Sequence, residues 1–354
     1  MWALIVKEFR QLRRDHRTVA MMIVMPLLLL IVFGYAASFD VRKVSAIVVG
    51  PEAERASGRL PGLFEVTDVR PGEGRAEAEA ALREGEAVVA LVTGGEPEVL
   101  VDGTELFSAR AVVTALRGAD APNAPPVDVL FNPDLETSAV MVPAIAGMIL
   151  VFIGTLITSL GVVRERQAGT LEQLAVMPFR PRDVFVGKIA PYFVVAAVDL
   201  AIVVTAGILL FDVPFEGSVA TFALGAVLFL FVTLGLGVLI SSVSENQGQA
   251  IQLALMSLLP QVLLSGMIFP IESMAAGIRW IAYLLPLTYF IDIARGVMVR
   301  GAPIDSLVFP LGMLGVLGTA VFGLAVLRFR RDLAPARKHH RTPAPRPVRA
   351  GETR

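Results

Sequence analysis

The sequence predicts a polytopic α-helical membrane protein, with six transmembrane helices and a mixed α/β external domain between spans 1 and 2. Three observations carry this. Of the 354 residues, 55% are hydrophobic, and the mean hydropathy is +0.68, more apolar than a soluble chain of this length needs. Six stretches reach the roughly 20 apolar residues that cross a bilayer as a helix: 19–37, 140–163, 189–211, 219–243, 250–269 and 307–327. Lysine and arginine also alternate between the joining segments. Residues 1–18 carry five, the loop Arg164–Asp183 four and the tail from Arg328 nine, against none in Asp212–Ser218 and three in Pro270–Ser306. Both termini and the Arg164–Asp183 loop are therefore expected on the cytoplasmic side. Six spans return the chain to the side on which it starts.

Along the chain, residues 1–18 read as an amphipathic interfacial helix, with Met1, Ile5, Phe9 and Leu12 on one face and arginines largely elsewhere. A plain positive-inside anchor explains the charge equally well, but not the apolar stripe. Span 1, at 19–37, is followed by "AAS", which resembles a signal-peptide cleavage site. Its apolar run is longer than a signal-peptide core and a long charged segment precedes it, so it reads as a retained anchor.

Residues 38–139 hold nine basic and eighteen acidic residues, long enough to escape the charge rule. Five β-rich runs appear here: Ser45–Val49, Leu63–Val69, Glu86–Val92, Pro97–Asp102 and Val127–Phe131. One helix is expected to end at Gly85; another is expected to be capped by Thr104 and to stop at Gly118. The many glutamates read as a solvated face.

The five remaining spans enclose two unusual segments. In the loop 164–183, Thr170 and Gln173 have capping-box spacing, and Leu171, Leu174, Ala175 and Pro178 share one face. Pro178 ends the helix. About two turns, of order 10 Å, are marginal alone in water and need a surface to pack on. That surface is either the membrane interface or a partner. Residues 270–301 are too polar and too broken by Pro286 for a simple span, and Trp280 and Tyr283 favour an interface. Two short helices dipping in from outside are expected, bent near Pro286. Asp292 and Arg295 lie three apart on the second, spaced to pair with each other or to remain solvated. Asp199 lies mid-way through span three, where a charge costs at least ~2.5 kcal/mol. It is expected either to line a path through the protein or to make a polar contact between helices. Residues 328–354 form a basic, proline-rich cytoplasmic tail.

Absent chemistry narrows the function. The net charge of −1 gives no global support for nucleic-acid binding. Without cysteine there is no disulfide, thiolate site or cysteine nucleophile, and His16, His339 and His340 have no metal-ligand spacing. No phosphate-binding loop of the form G-x-x-x-x-G-K-[ST] occurs, nor a hydrolase or zinc-protease motif in a fitting context. No catalytic, cofactor-binding or metal site is expected. The cytoplasmic segments are too short for a kinase or cyclase output domain.

Several motifs in fixed order then resemble one family. "RERQAGTLEQLAVMPFRPRDVFVGKIAPY", "VDGTELFSA", "FNPDLETSAVMVPAIAGMIL", "LLFDVPFEGS", "LPQVLLSGMIFPIESM" and "LLPLTYFIDIARGVMVRG" resemble ABC-2-type exporter permeases, chiefly the multidrug or lipid exporters with a large external domain after the first span. The resemblance implies a multi-pass protein of the bacterial inner membrane that moves an amphiphilic drug-like or lipid-like substrate outward. It implies pairing with a second permease chain, as a homo- or heterodimer, and docking of two ATPase subunits that use ATP and Mg; this chain binds neither. It also implies that Arg164, Glu165, Arg166, Gly169, Thr170, Leu171, Gln173, Leu174 and Pro178 form an ATPase-coupling loop. In that arrangement Leu171 and Leu174 pack on the ATPase and Arg164, Glu165 and Arg166 form a polar hinge. The other readings are a sodium-export permease of the same family and a membrane-anchored receptor or scaffold presenting the α/β domain.

Overall fold

The computed structural model describes residues 43–118, 125–169 and 181–332, together with Leu27 and Val41. The expected interfacial helix, span 1 apart from Leu27, residues 170–180 and the tail beyond Asp332 lie outside the described residues.

The N-terminal part is a five-stranded sheet of order β2-β1-β3-β4-β5. Its strands are β1 (Val44–Val49), β2 (Phe64–Arg70), β3 (Val89–Val92), β4 (Glu98–Asp102) and β5 (Val127–Leu130). All neighbours are parallel except β3 and β4. Helices α1 (Ala53–Ser57), α2 (Arg75–Glu84) and α3 (Leu106–Gly118) connect the strands. Alternation decides the packing. Ile47 and Val49 point to α2, against Ala78, Ala81 and Leu82. Val44 and Ala46 point to the other face, against Ala109 and Val112 of α3. Because helices cover both faces, the inner strands β1 and β3 read as nearly unbroken apolar runs. Gly85 ends α2 in the left-handed region, at φ 78°, where a side chain would be strained.

The C-terminal part is helical: α4 (Thr137–Gln167), α5 (Pro181–Phe211), α6 (Val219–Val243), α7 (Gln247–Leu264), α8 (Ala276–Ala282), α9 (Pro286–Arg295) and α10 (Val308–Asp332). Among the described residues, four helical stretches are long and apolar enough to cross a membrane: Thr137–Gln167, Ile189–Phe211, Val219–Val243 and Ile304–Arg328. A fifth arises if the bent pair Ala276–Ala282 and Pro286–Arg300, meeting at 72°, counts as one.

The bounds of the expected span 250–269 are corrected. Its helix, α7, starts three residues earlier, where the Asn246 side chain accepts from the Gln249 N–H at 2.9 Å. It stops at Leu264, and Gly266 follows in the left-handed region at φ 82°. Four glutamines (Gln247, Gln249, Gln252 and Gln261) dilute its apolar character, and it is not among the helices that pass as spans.

α6 is the centre of the bundle, packed between α4 and α10. Close approach explains its small residues. A Cβ on Gly237 would lie 2.8 Å from the Thr155 carbonyl of α4. The Thr155 hydroxyl donates to the Thr233 carbonyl of α6 at 3.3 Å. In hydrocarbon such contacts replace a hydrophobic driving force between helices. On the domain side of the bundle, Phe229 of α6 stacks on Phe290 of α9 at 4.3 Å, which seats the bent pair on the bundle.

Candidate functional site

Polar side chains gather at two ends of the bundle. At the end facing the α/β domain, β4 finishes at Asp102 and the next residues turn the chain into α3. Asp102 Oδ1 accepts from the Thr104 N–H at 2.8 Å and from the Thr104 hydroxyl at 2.7 Å, a local turn in which the carboxylate substitutes for backbone acceptors. Thr104 therefore serves Asp102 rather than capping α3, which begins at Leu106. This corrects the cap expected from sequence.

The other oxygen of Asp102 faces Arg300, with Nη1 at 3.4 Å; the two side chains are 1% and 7% exposed. Arg300 Nη2 donates to Asp292 Oδ1 at 3.1 Å. Arg300 closes the π-type turn Gly296–Arg300 that continues α9, and Gly301 ends it at φ 64°. Its guanidinium lies over Gly85, where a Cβ would sit 3.0 Å from Nη1. One arginine thus joins the membrane-type helices to β4 and to the end of α2. Nearby, Arg295 Nη1 lies 3.5 Å from Glu105 Oε1, again across the domain boundary.

Asp292 and Arg295, expected either to pair with each other or to remain solvated, do not pair with each other. Each has another partner, Arg300 and Glu105 respectively. The reason is burial: Arg295 is 6% exposed and needs a carboxylate from the domain packed above it, while Asp292 lies at the rim. Glu105 likewise corrects the expectation of a wholly solvated glutamate face. These groups surround a cavity of about 260 Å³, also lined by Glu272, Tyr283 and Tyr289. Glu105 is enclosed by protein but leaves 35% of its side chain exposed to the cavity. Burial pushes its carboxyl up to about 7, against the pull of Arg295 and with a further push from Glu272 and Asp102. Its charge is therefore sensitive to pH near neutrality.

Asp199 is half-buried on α5. Its Oδ2 is buried and accepts no hydrogen bond among the described residues.

At the opposite end, α4 runs on through Arg164, Glu165 and Arg166 to Gln167. These residues form the regular last turn of α4, and Gly169 follows at φ 73°. Arg166 Nη1 donates to the carbonyls of Ser241 and Ser244, at 3.0 and 3.2 Å. Ser241 stands in the last turn of α6 and Ser244 just beyond it; such carbonyls lack helical partners, so a cation there is favourable. Gln247 donates to Gln167 at 3.1 Å. Three helix ends are thereby tied together at Arg166 and Gln167, close to Gly169 in the chain. Thr170, Leu171, Gln173, Leu174 and Pro178 lie outside the described residues. α5 resumes at Pro181, a residue suited to a first helical position.

The sequence reading missed Asp102, Glu105 and Arg300. A signal was available: Asp102, Thr104 and Glu105 stand in "VDGTELFSA", and Arg300 stands in "ARGVMVRG".

The profile of ABC-2 family transporter proteins matches residues 16–327. The chain belongs to this family. Curated relatives agree along nearly its whole length. A probable multidrug ABC transporter permease, YbhR of Escherichia coli K12, is 28% identical, covering 94% of this chain and 99% of the relative. The probable multidrug ABC transporter permease YbhS of the same organism is 30% identical, covering 94% and 97%. The inner membrane transport permease YhhJ is 34% identical over 57% of this chain and 54% of the relative. As an ABC-2 permease the chain is a multi-pass membrane subunit of an ABC transporter, and the family implies an ATPase partner.

Proposed function

We infer that this permease exports an amphiphilic substrate, drug-like or lipid-like, using ATP and Mg handled by a separate ATPase. The observation that carries this reading is the family match over residues 16–327, supported by two relatives named as probable multidrug permeases. The spans contain few ionisable groups, which suits an amphiphile better than a highly charged solute. In this reading span 1 at 19–37 and α7 join the four apolar spans to make six. The α/β domain and the α8–α9 pair face outside, and both termini face the cytoplasm of a bacterial inner-membrane protein. Two permease chains pair and two ATPase subunits dock on the loop 164–183. Asp199 either lines the export path or contacts a neighbouring helix.

Because the chain has no cysteine, labelling tests the orientation without background. Glu79→Cys should react with an impermeant maleimide on intact cells and Gln173→Cys should not; the reverse pattern contradicts the orientation. Substrate class is read by reconstituting permease with ATPase and measuring hydrolysis against a panel of amphiphiles and inorganic cations. Stimulation by amphiphiles alone supports the reading, and stimulation only by sodium contradicts it.

A further inference from the structure

At the loop end, a groove of about 510 Å³ opens between α6, α7 and α10. Its walls are Leu239 and Val243 of α6, Leu253 and Met256 of α7 and Leu324 of α10, with Arg328 at its rim. The two serines that line it offer no free hydroxyl hydrogen. Ser242 donates to the Leu239 carbonyl at 2.7 Å, and Ser257 to the Ala254 carbonyl at 2.8 Å. The groove is thus apolar in chemistry as well as composition, with one charge at its mouth. Leu324 and Arg328 are four apart on α10, so they share a face about 6 Å apart along the axis. Arg328 is exposed and forms no ion pair among the described residues. Apolar wall first, then cation at the helix end, is the layout of one lipid molecule: acyl chain, then phosphate.

We propose that this groove is a binding site for an anionic phospholipid, one acyl chain lying between α6, α7 and α10 and the phosphate against Arg328. An acyl chain gains nothing by moving from bilayer hydrocarbon into an equally apolar groove. Selection therefore comes from the head group. One arginine near the surface is worth about a fivefold preference for an anionic over a zwitterionic lipid. The α6 segment that walls the groove, Leu239–Val243, also carries the Ser241 carbonyl held by Arg166. The lipid would buttress the tied helix ends from the opposite side. The lipid would be a resident of the permease, independent of what is exported.

The test uses the full-length permease in mild detergent, incubated with phosphatidylglycerol or phosphatidylethanolamine and examined by native mass spectrometry. Wild type should retain phosphatidylglycerol about fivefold over phosphatidylethanolamine. Arg328→Glu should remove that preference, Arg328→Lys should keep it, and Met256→Trp, which fills the groove, should lower retention of both lipids. Equal retention by wild type, or a preference that survives Arg328→Glu, overturns the proposal. Met256→Trp leaving lipid retention unchanged while altering the oligomeric state also overturns it and assigns the groove to a second copy of the chain. No ATPase is needed, so the outcome is separate from that of the export reading.

Discussion

The two ends of the bundle are held by different physics. At the domain end, buried ion pairs cross between elements far apart in sequence, as Asp102 and Arg300 do. At the loop end, Arg166 supplies hydrogen-bond donors to carbonyls that a helix terminus leaves free. The first arrangement is costly to break, because removing one partner strands a buried charge. The second is milder, since removing the arginine there takes hydrogen bonds from neutral carbonyls and strands no buried charge. One end therefore behaves as a fixed joint between domain and helices, and the other as a trimmed edge from which the loop departs.

Substitutions sharpen that contrast. Arg300→Met should have the largest effect, since it leaves Asp102 buried without its cation. A loss of about 3–5 kcal/mol is expected, seen as a marked fall in the thermal unfolding midpoint of the purified permease. A change under about 1 kcal/mol would mean that the domain end is not a fixed joint. Arg166→Ala should cost less, about 1.5–3 kcal/mol for charge-assisted bonds to two carbonyls. If it proved more damaging than Arg300→Met, the ranking of the two ends would be reversed.

Glu105→Gln gives the smallest and most specific effect. The folded carboxyl is pushed up to about 7, above the ordinary value of about 4.3. Between those values the folded chain holds a proton that the unfolded chain has lost. Stability from this group is therefore full below the ordinary value and falls as pH rises through about 7. Wild type should lose stability relative to Glu105→Gln between pH 5 and pH 8. Parallel unfolding curves across that range would show that Glu105 titrates normally.

How much of this was legible in the sequence follows the same division. Local signals read well. Gly85 stops α2, and Pro286 opens the second of two short helices. The apolar run 219–243 coincides with α6, because it is bounded by serines on both sides and the Ser218 side chain caps its start. Where a signal had two readings, the tertiary structure chose. Thr104 has the chemistry of a cap, but the Asp102 carboxylate two residues earlier competes for its hydroxyl. Asp292 and Arg295 have pair spacing, but burial gave Arg295 a partner from the domain above. The end of α7 was misplaced because Met267–Phe269 extend the apolar run past Gly266, whose backbone turns the chain. Long-range partners such as Arg300 and Asp102, 198 residues apart, leave no periodic trace.

The proposal that the loop 164–183 couples this permease to an ATPase is tested most directly by Leu171→Asp and Leu174→Asp in the reconstituted complex. The permease should still fold and insert, while ATPase association weakens or hydrolysis no longer responds to substrate. Undiminished association together with substrate-stimulated hydrolysis in both variants would contradict the assignment and leave the loop as a connector at the membrane surface.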